Sequence, residues 1–117
     1  MAEAEAEAGG GRGPSLELRQ GDRLVARYPL TPGQSLVVGR ERDLPIHVDD
    51  PAVSRRHAEI FVLSTPRRNV LICDLDSTNG LHLRGQRVRR AFLEYGDRIA
   101  LGGHELVLVG PEGPPGP

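Results

Sequence analysis

Nowhere in this chain do apolar residues recur at helical spacing for long enough to cover one face of a helix, and this constrains the fold more than any other feature of the sequence. Short runs of leucine and β-branched residues take the place of helices, each cut off by turn formers. Leu16 and Leu18 alternate with polar neighbours until Gln20-Gly21-Asp22 turns the chain into residues 23–30. Pro32-Gly33 precedes Ser35-Leu36-Val37-Val38, and Ile46-His47-Val48 follows Pro45. Further runs lie at 58–63, 69–75, 81–83, 86–88, 97–101 and 105–109, with hairpin turns expected at Arg84-Gly85 and Gly102-Gly103. Many short strands at this spacing predict an all-β fold, an antiparallel sandwich or barrel. The stretch Leu106-Val107-Leu108-Val109 is apolar throughout and is expected to lie deeper than the alternating runs.

The chain has 117 residues, enough for one domain with a core of its own. Residues 1–14 combine Ala/Glu alternation with Gly-Gly-Gly-Arg-Gly-Pro, and residues 110–117 are glycine, proline and one glutamate, so both read as disordered tails around a folded part at 15–109. The single cysteine, Cys73, closes no internal disulfide and is expected to be a small buried side chain. No apolar run approaches the roughly 20 residues of a membrane helix, and the acidic start is unlike a signal peptide. A cytoplasmic protein without membrane contact is expected.

Net charge is −1, but it is unevenly spread. Residues 52–90 hold eight arginines and three acidic residues, a local excess of five positive charges. All fifteen basic residues are arginine. The guanidinium fork suits two-pronged capture of phosphate or carboxylate better than lysine does.

Chemistry-bearing residues gather in three places, each at a strand end. Gly39-Arg40 follows Leu36-Val37-Val38. Ser54-Arg55-Arg56-His57 precedes Ala58-Glu59-Ile60-Phe61-Val62-Leu63. Asp74-Leu75-Asp76-Ser77-Thr78-Asn79-Gly80 ends another strand in a sharp turn, where Asn-Gly is a favoured pair. In a sandwich, loops at one end cluster, so these pieces can meet.

The order Gly-Arg, Ser-x-x-His, Ser-Thr-Asn-Gly resembles the signature of the forkhead-associated (FHA) domain family, over roughly residues 35–109. The intervening stretch from Asp43 to Ala58 matches as well. The resemblance implies a sandwich of about eleven strands whose loops at one end bind a phosphothreonine peptide. It implies phosphate contacts from Arg40, Ser54 and Arg55, a pocket wall from Thr78, and a hold on the peptide backbone from Asn79. Gly39, His57 and Gly80 would be architectural, with His57 bracing the loop that carries Ser54. The chain departs from the family after Gly80, where Leu81-His82-Leu83-Arg84-Gly85 stands in place of a frequent Thr, hydrophobic pair and Asn-Gly.

Other function classes fit less well. Ser54, His57 and Asp74 could be cast as a hydrolase triad, but a serine and histidine three apart have little freedom to approach as one, and a Gly-x-Ser-x-Gly elbow is missing. No enzyme activity is expected. His47, Asp49 and His57 lack a tight ligand pattern, so neither metal nor cofactor is expected. Nucleic-acid binding would use the arginine surface, yet Tyr28, Phe61, Phe92 and Tyr95 are not interleaved with it as stacking platforms. The remaining rival is a scaffold or self-assembling module on the same fold that ignores phosphate. Taken together, the residues and the resemblance predict a phosphothreonine reader in Ser/Thr-kinase signalling, partnered with such a kinase or its substrate.

Overall fold

The computed structural model describes residues 13–110, so the expected tails lie outside the described residues except for Gly13, Pro14 and Gly110. Eleven strands follow in chain order: β1 (Ser15–Gln20), β2 (Arg23–Pro29), β3 (Ser35–Gly39), β4 (Ile46–His47), β5 (Ala58–Val62), β6 (Val70–Asp74), β7 (Leu81–Leu83), β8 (Gln86–Val88), β9 (Arg90–Phe92), β10 (Arg98–Leu101) and β11 (His104–Val109). They form two sheets, a five-stranded one ordered β9-β6-β5-β3-β4 and a six-stranded one ordered β2-β1-β11-β10-β7-β8. The fold is therefore an open sandwich and not the alternative barrel. Its pairings are antiparallel except for β3 with β4, a parallel contact of Val38 with Ile46 and Gly39 with His47.

The core follows from the two-residue period of a strand. Leu36 and Val38 of β3, Ala58, Ile60 and Val62 of β5, and Val70 and Ile72 of β6 point inward from one sheet. Leu16 and Leu18 of β1, Leu81 and Leu83 of β7, and Ile99 and Leu101 of β10 meet them from the other. Each fully buried aliphatic side chain is worth about 1.5–3 kcal/mol relative to exposure. β11 is central in its sheet, and all four residues Leu106–Val109 are buried, as their unbroken apolar run predicts.

Two expectations change. β9 is absent from the sequence-level pattern, because Arg90-Ala91-Phe92 has one arginine and no alternation of its own; pairing with β6 makes it an edge strand. Cys73 is half-buried and not in the core, since it falls out of phase with Val70 and Ile72, the inward residues of β6. Arg84 and Gly85 both have positive φ, 52° and 79°, the backbone of a tight two-residue hairpin turn.

Candidate functional site

Antiparallel pairing brings the end of β3, the start of β5 and the end of β6 to one pole: Val38 faces Ala58, and Ala58 faces Asp74. The loops 40–45, 48–57 and 75–80 therefore emerge side by side. The first two are zipped together by backbone bonds. The Arg40 N–H donates to the Ser54 carbonyl at 3.0 Å, and the Glu41 N–H to the Arg55 carbonyl at 3.2 Å. Gly39 is required by this closeness rather than by a turn: a Cβ there would lie 2.1 Å from the Arg55 carbonyl oxygen. The Arg40 side chain crosses the same gap, its Nε donating to the Val53 carbonyl at 3.0 Å.

His57 is fully buried, with 0% exposure, between the second loop and the third. Its Nδ1 accepts the Ser54 N–H at 3.0 Å, so Nε2 carries the hydrogen and donates to the Gly80 carbonyl at 2.8 Å. Both ring nitrogens are thus committed to backbone. The ring reaches neither the Ser54 hydroxyl nor Asp74, and no triad forms. Asp74 instead accepts two bonds from Ser77, one from its hydroxyl and one from its N–H.

Ser77, which stands in the Ser-Thr-Asn-Gly motif but was given no role there, is buried and organises the third loop. Its Oγ also accepts the Gly80 N–H at 2.9 Å. The Asp-x-x-Ser spacing, a side-chain mimic of a backbone turn, was the signal for it. Gly80 itself has φ +79°, and the Arg87 side chain lies against it, where a Cβ would meet Nε at 2.4 Å. The third loop then closes on the second: the Thr78 N–H donates to Ser54 Oγ at 3.1 Å, and Asn79 Nδ2 donates to the Ala52 carbonyl at 2.8 Å. The hydroxyl hydrogen of Ser54 and the Oδ1 of Asn79 have no partner among the described residues.

Between the loops lies a shallow concavity of about 340 Å³, lined by Arg40, Ser54, Arg55, Thr78 and Asn79 with Val53 at its floor. Among the described residues neither Arg40 nor Arg55 pairs with a carboxylate, and Glu41 turns to Arg56 at 3.9 Å instead. Two exposed guanidiniums and the hydroxyl residues Ser54 and Thr78 therefore share one small hollow with no carboxylate to neutralise the charge. The FHA domain family model matches residues 36–102, which takes in all three loops. The chain belongs to the FHA domain family.

This FHA domain is 43% identical over 99 residues to the glycogen accumulation regulator GarA of Mycobacterium tuberculosis, covering 83% of this chain and 58% of GarA. Among solved structures it is similar to Mycobacterium tuberculosis EmbR in complex with a low-affinity phosphopeptide, with TM-score 0.72, 33% identity, and coverage of 89% of this chain and 26% of that one. It also matches a structure from a study of phosphothreonine-dependent FHA domain interactions, with TM-score 0.69, 34% identity, and coverage of 82% of this chain and 94% of that one. The chain thus spans just over half of GarA and a quarter of EmbR.

One further residue of this FHA domain shapes the site. Asp50, in the second loop, accepts the Ala52 N–H at 2.9 Å through Oδ1. Its Oδ2 accepts the Gly103 N–H at 2.7 Å and the ring Nδ1–H of buried His104 at 2.9 Å. The N–H of Ala52 first, then that of Gly103, hold its carboxyl below the ordinary value; burial opposes them and His104 adds to them. The β10–β11 hairpin is in this way latched to the loop whose Ala52 and Val53 carbonyls hold Asn79 and Arg40. Asp50 belongs to no part of the motif triple, and its latch spans 53 residues of sequence. Among the described residues no three His, Cys, Asp or Glu side chains are grouped to hold a metal ion, and no helix is long and apolar enough to cross a membrane.

Proposed function

We propose that this FHA domain is a non-enzymatic reader of phosphothreonine peptides. The observation that carries the proposal is the convergence of Arg40, Arg55 and the free hydroxyl of Ser54 on one hollow without a neutralising carboxylate. A phosphothreonine brings roughly 1.5–2 negative charges and three acceptor oxygens. Arg40 supplies a guanidinium whose Nε is already anchored on Val53, which leaves its terminal N–H groups aimed outward for the phosphate. Ser54 donates its hydroxyl, and Arg55 adds a second charge. Thr78 walls the threonine side of the pocket. Asn79, with one N–H fixed on Ala52, presents its Oδ1 to the peptide backbone. Gly39, His57 and Gly80 hold the loops in register.

Charge-assisted bonds are worth about 1.5–3 kcal/mol each. A dissociation constant near 10 μM corresponds to about −6.8 kcal/mol. Two or three such bonds with backbone contacts reach this after the cost of association, so a modest and reversible affinity follows. The structures of EmbR with a phosphopeptide and of phosphothreonine-dependent FHA interactions support the same reading. The folded unit is residues 15–109, and the setting is Ser/Thr-kinase signalling in the cytoplasm, with a kinase or its substrate as partner. A reducing compartment suits the unpaired thiol of Cys73.

Phosphate dependence is the test. In titration calorimetry a phosphothreonine peptide selected from a degenerate library is expected to bind, and its threonine and phosphoserine versions to bind far more weakly. Equal binding of all three would favour the phosphate-independent scaffold.

A further inference from the structure

A concavity of about 480 Å³ lies at the opposite pole from Arg40. It opens between the β5–β6 loop and the β9–β10 loop, and Arg67, Arg68, Leu93, Glu94, Tyr95 and Leu108 line it. Its chemistry is unusual for an idle surface. Tyr95 and the neighbouring Phe92 are each 44% exposed, although both are large and apolar. The Arg68 guanidinium lies over the Phe92 ring at 6.0 Å, and Arg68 holds a positive φ of 51°, an uncommon backbone state for a side-chain-bearing residue. Among the described residues Arg67 and Arg68 pair with no carboxylate, although Glu94 stands at the rim.

The described chain begins beside this groove. Ser15 pairs with Val109, next to Leu108 of the groove wall, and Gly110 approaches the Tyr95 ring so closely that a Cβ would meet it at 3.2 Å. The residues before Ser15 therefore leave within a strand spacing or two of Tyr95. They include Glu3, Glu5 and Glu7 against a single arginine, Arg12, with Gly9-Gly10-Gly11 between. Glu7 can reach roughly 25 Å from Ser15 on an extended chain, ample to span the groove. Tethered so closely, the segment faces its site at an effective concentration on the order of millimolar, so weak contacts suffice to populate it.

We propose that the acidic segment 1–8 docks into this groove, with its glutamates on Arg67 and Arg68 and its alanine and methionine side chains against Tyr95 and Phe92. The segment covers an arginine-aromatic surface that would otherwise attract other acidic chains. This surface is separate from the phosphothreonine pocket, and the proposal does not depend on how that pocket is used.

The test uses the full chain at low ionic strength. A nitroxide placed at Ala4→Cys, with Cys73→Ala to leave one thiol, is expected to bleach amide signals of Arg67, Arg68, Asn69 and Tyr95 selectively. Half-molar salt should restore them, since it shrinks the screening length below about 5 Å. Glu3→Gln/Glu5→Gln/Glu7→Gln is expected to remove the bleaching without any change in the groove itself. Bleaching spread evenly over the surface, or concentrated at Arg40, Arg55 and Thr78, would overturn the proposal. So would selective bleaching that survives both the salt and the triple substitution, because the arginines would then have no part in it.

Discussion

Arg40 reaches the pocket with one end already fixed. Because Nε is spent on the Val53 carbonyl, the guanidinium is held in place in the free protein, and little side-chain entropy is left to lose on any binding. Arg40→Ala should therefore cost about 2–4 kcal/mol of phosphopeptide affinity, roughly 30- to 1000-fold, with an unchanged melting curve. Calorimetric titration of the variant beside the parent measures both; an unchanged dissociation constant would remove Arg40 from the pocket. His57 makes the opposite kind of contribution. Its replacement by alanine strips partners from the Ser54 N–H and the Gly80 carbonyl and opens a hole where the ring was fully buried. A loss of about 3–5 kcal/mol of stability is expected, read as an earlier chemical-denaturation midpoint. Binding should weaken along with it, because the loops bearing Ser54 and Thr78 lose their common brace.

The latch between the second loop and the β10–β11 hairpin gives a pH prediction. A carboxylate held below its ordinary value stabilises the fold at every pH above the unfolded-state value, near 4, and that contribution disappears as pH falls through the folded-state value. Asp50 is one such group. Glu17 is another: burial pushes its carboxyl up, but hydrogen bonds from Arg27 and Arg19 outweigh this. Thermal melts of Asp50→Asn from pH 7 down to pH 2 should show lower stability at neutral pH and a shallower acid limb. The residual slope should vanish further with Glu17→Gln. An acid limb as steep as the parent's in the double variant would mean that other groups govern it. The elements themselves were largely legible beforehand, because hydrophobic alternation and turn residues are local signals. That Arg40, Ser54 and Thr78 come together at one hollow was foreshadowed by their motif spacing; their roles toward a ligand are proposed. Asp50 and Arg87 were not legible, since each matters through what it touches across the sandwich or in a neighbouring hairpin, and Ser77 stood in the motif without a role. β9 was hidden for a similar reason: Arg90-Ala91-Phe92 becomes a strand through β6 and not through its own pattern.

On the scale of the whole molecule, the hollow beside Arg40 and the arginine-aromatic groove occupy opposite poles, 340 and 480 Å³ in volume. The affinity of the hollow should fall as salt rises, because its two arginines act on the ligand partly through solvent. Titrations at 50 and 500 mM salt would reveal this; a flat response would argue against a charge-led site.

Ser15 lies directly opposite Val109 on neighbouring strands, about 5 Å apart, at the pole away from Arg40. A unit whose two ends come out side by side can be spliced into a surface loop of another protein without forcing that loop apart, and its hollow would still face outward. The same nearness permits the ends to be joined and the chain reopened elsewhere. A circular permutant cut between Ser64 and Thr65, in an exposed loop far from Arg40, should bind the phosphopeptide as the parent does.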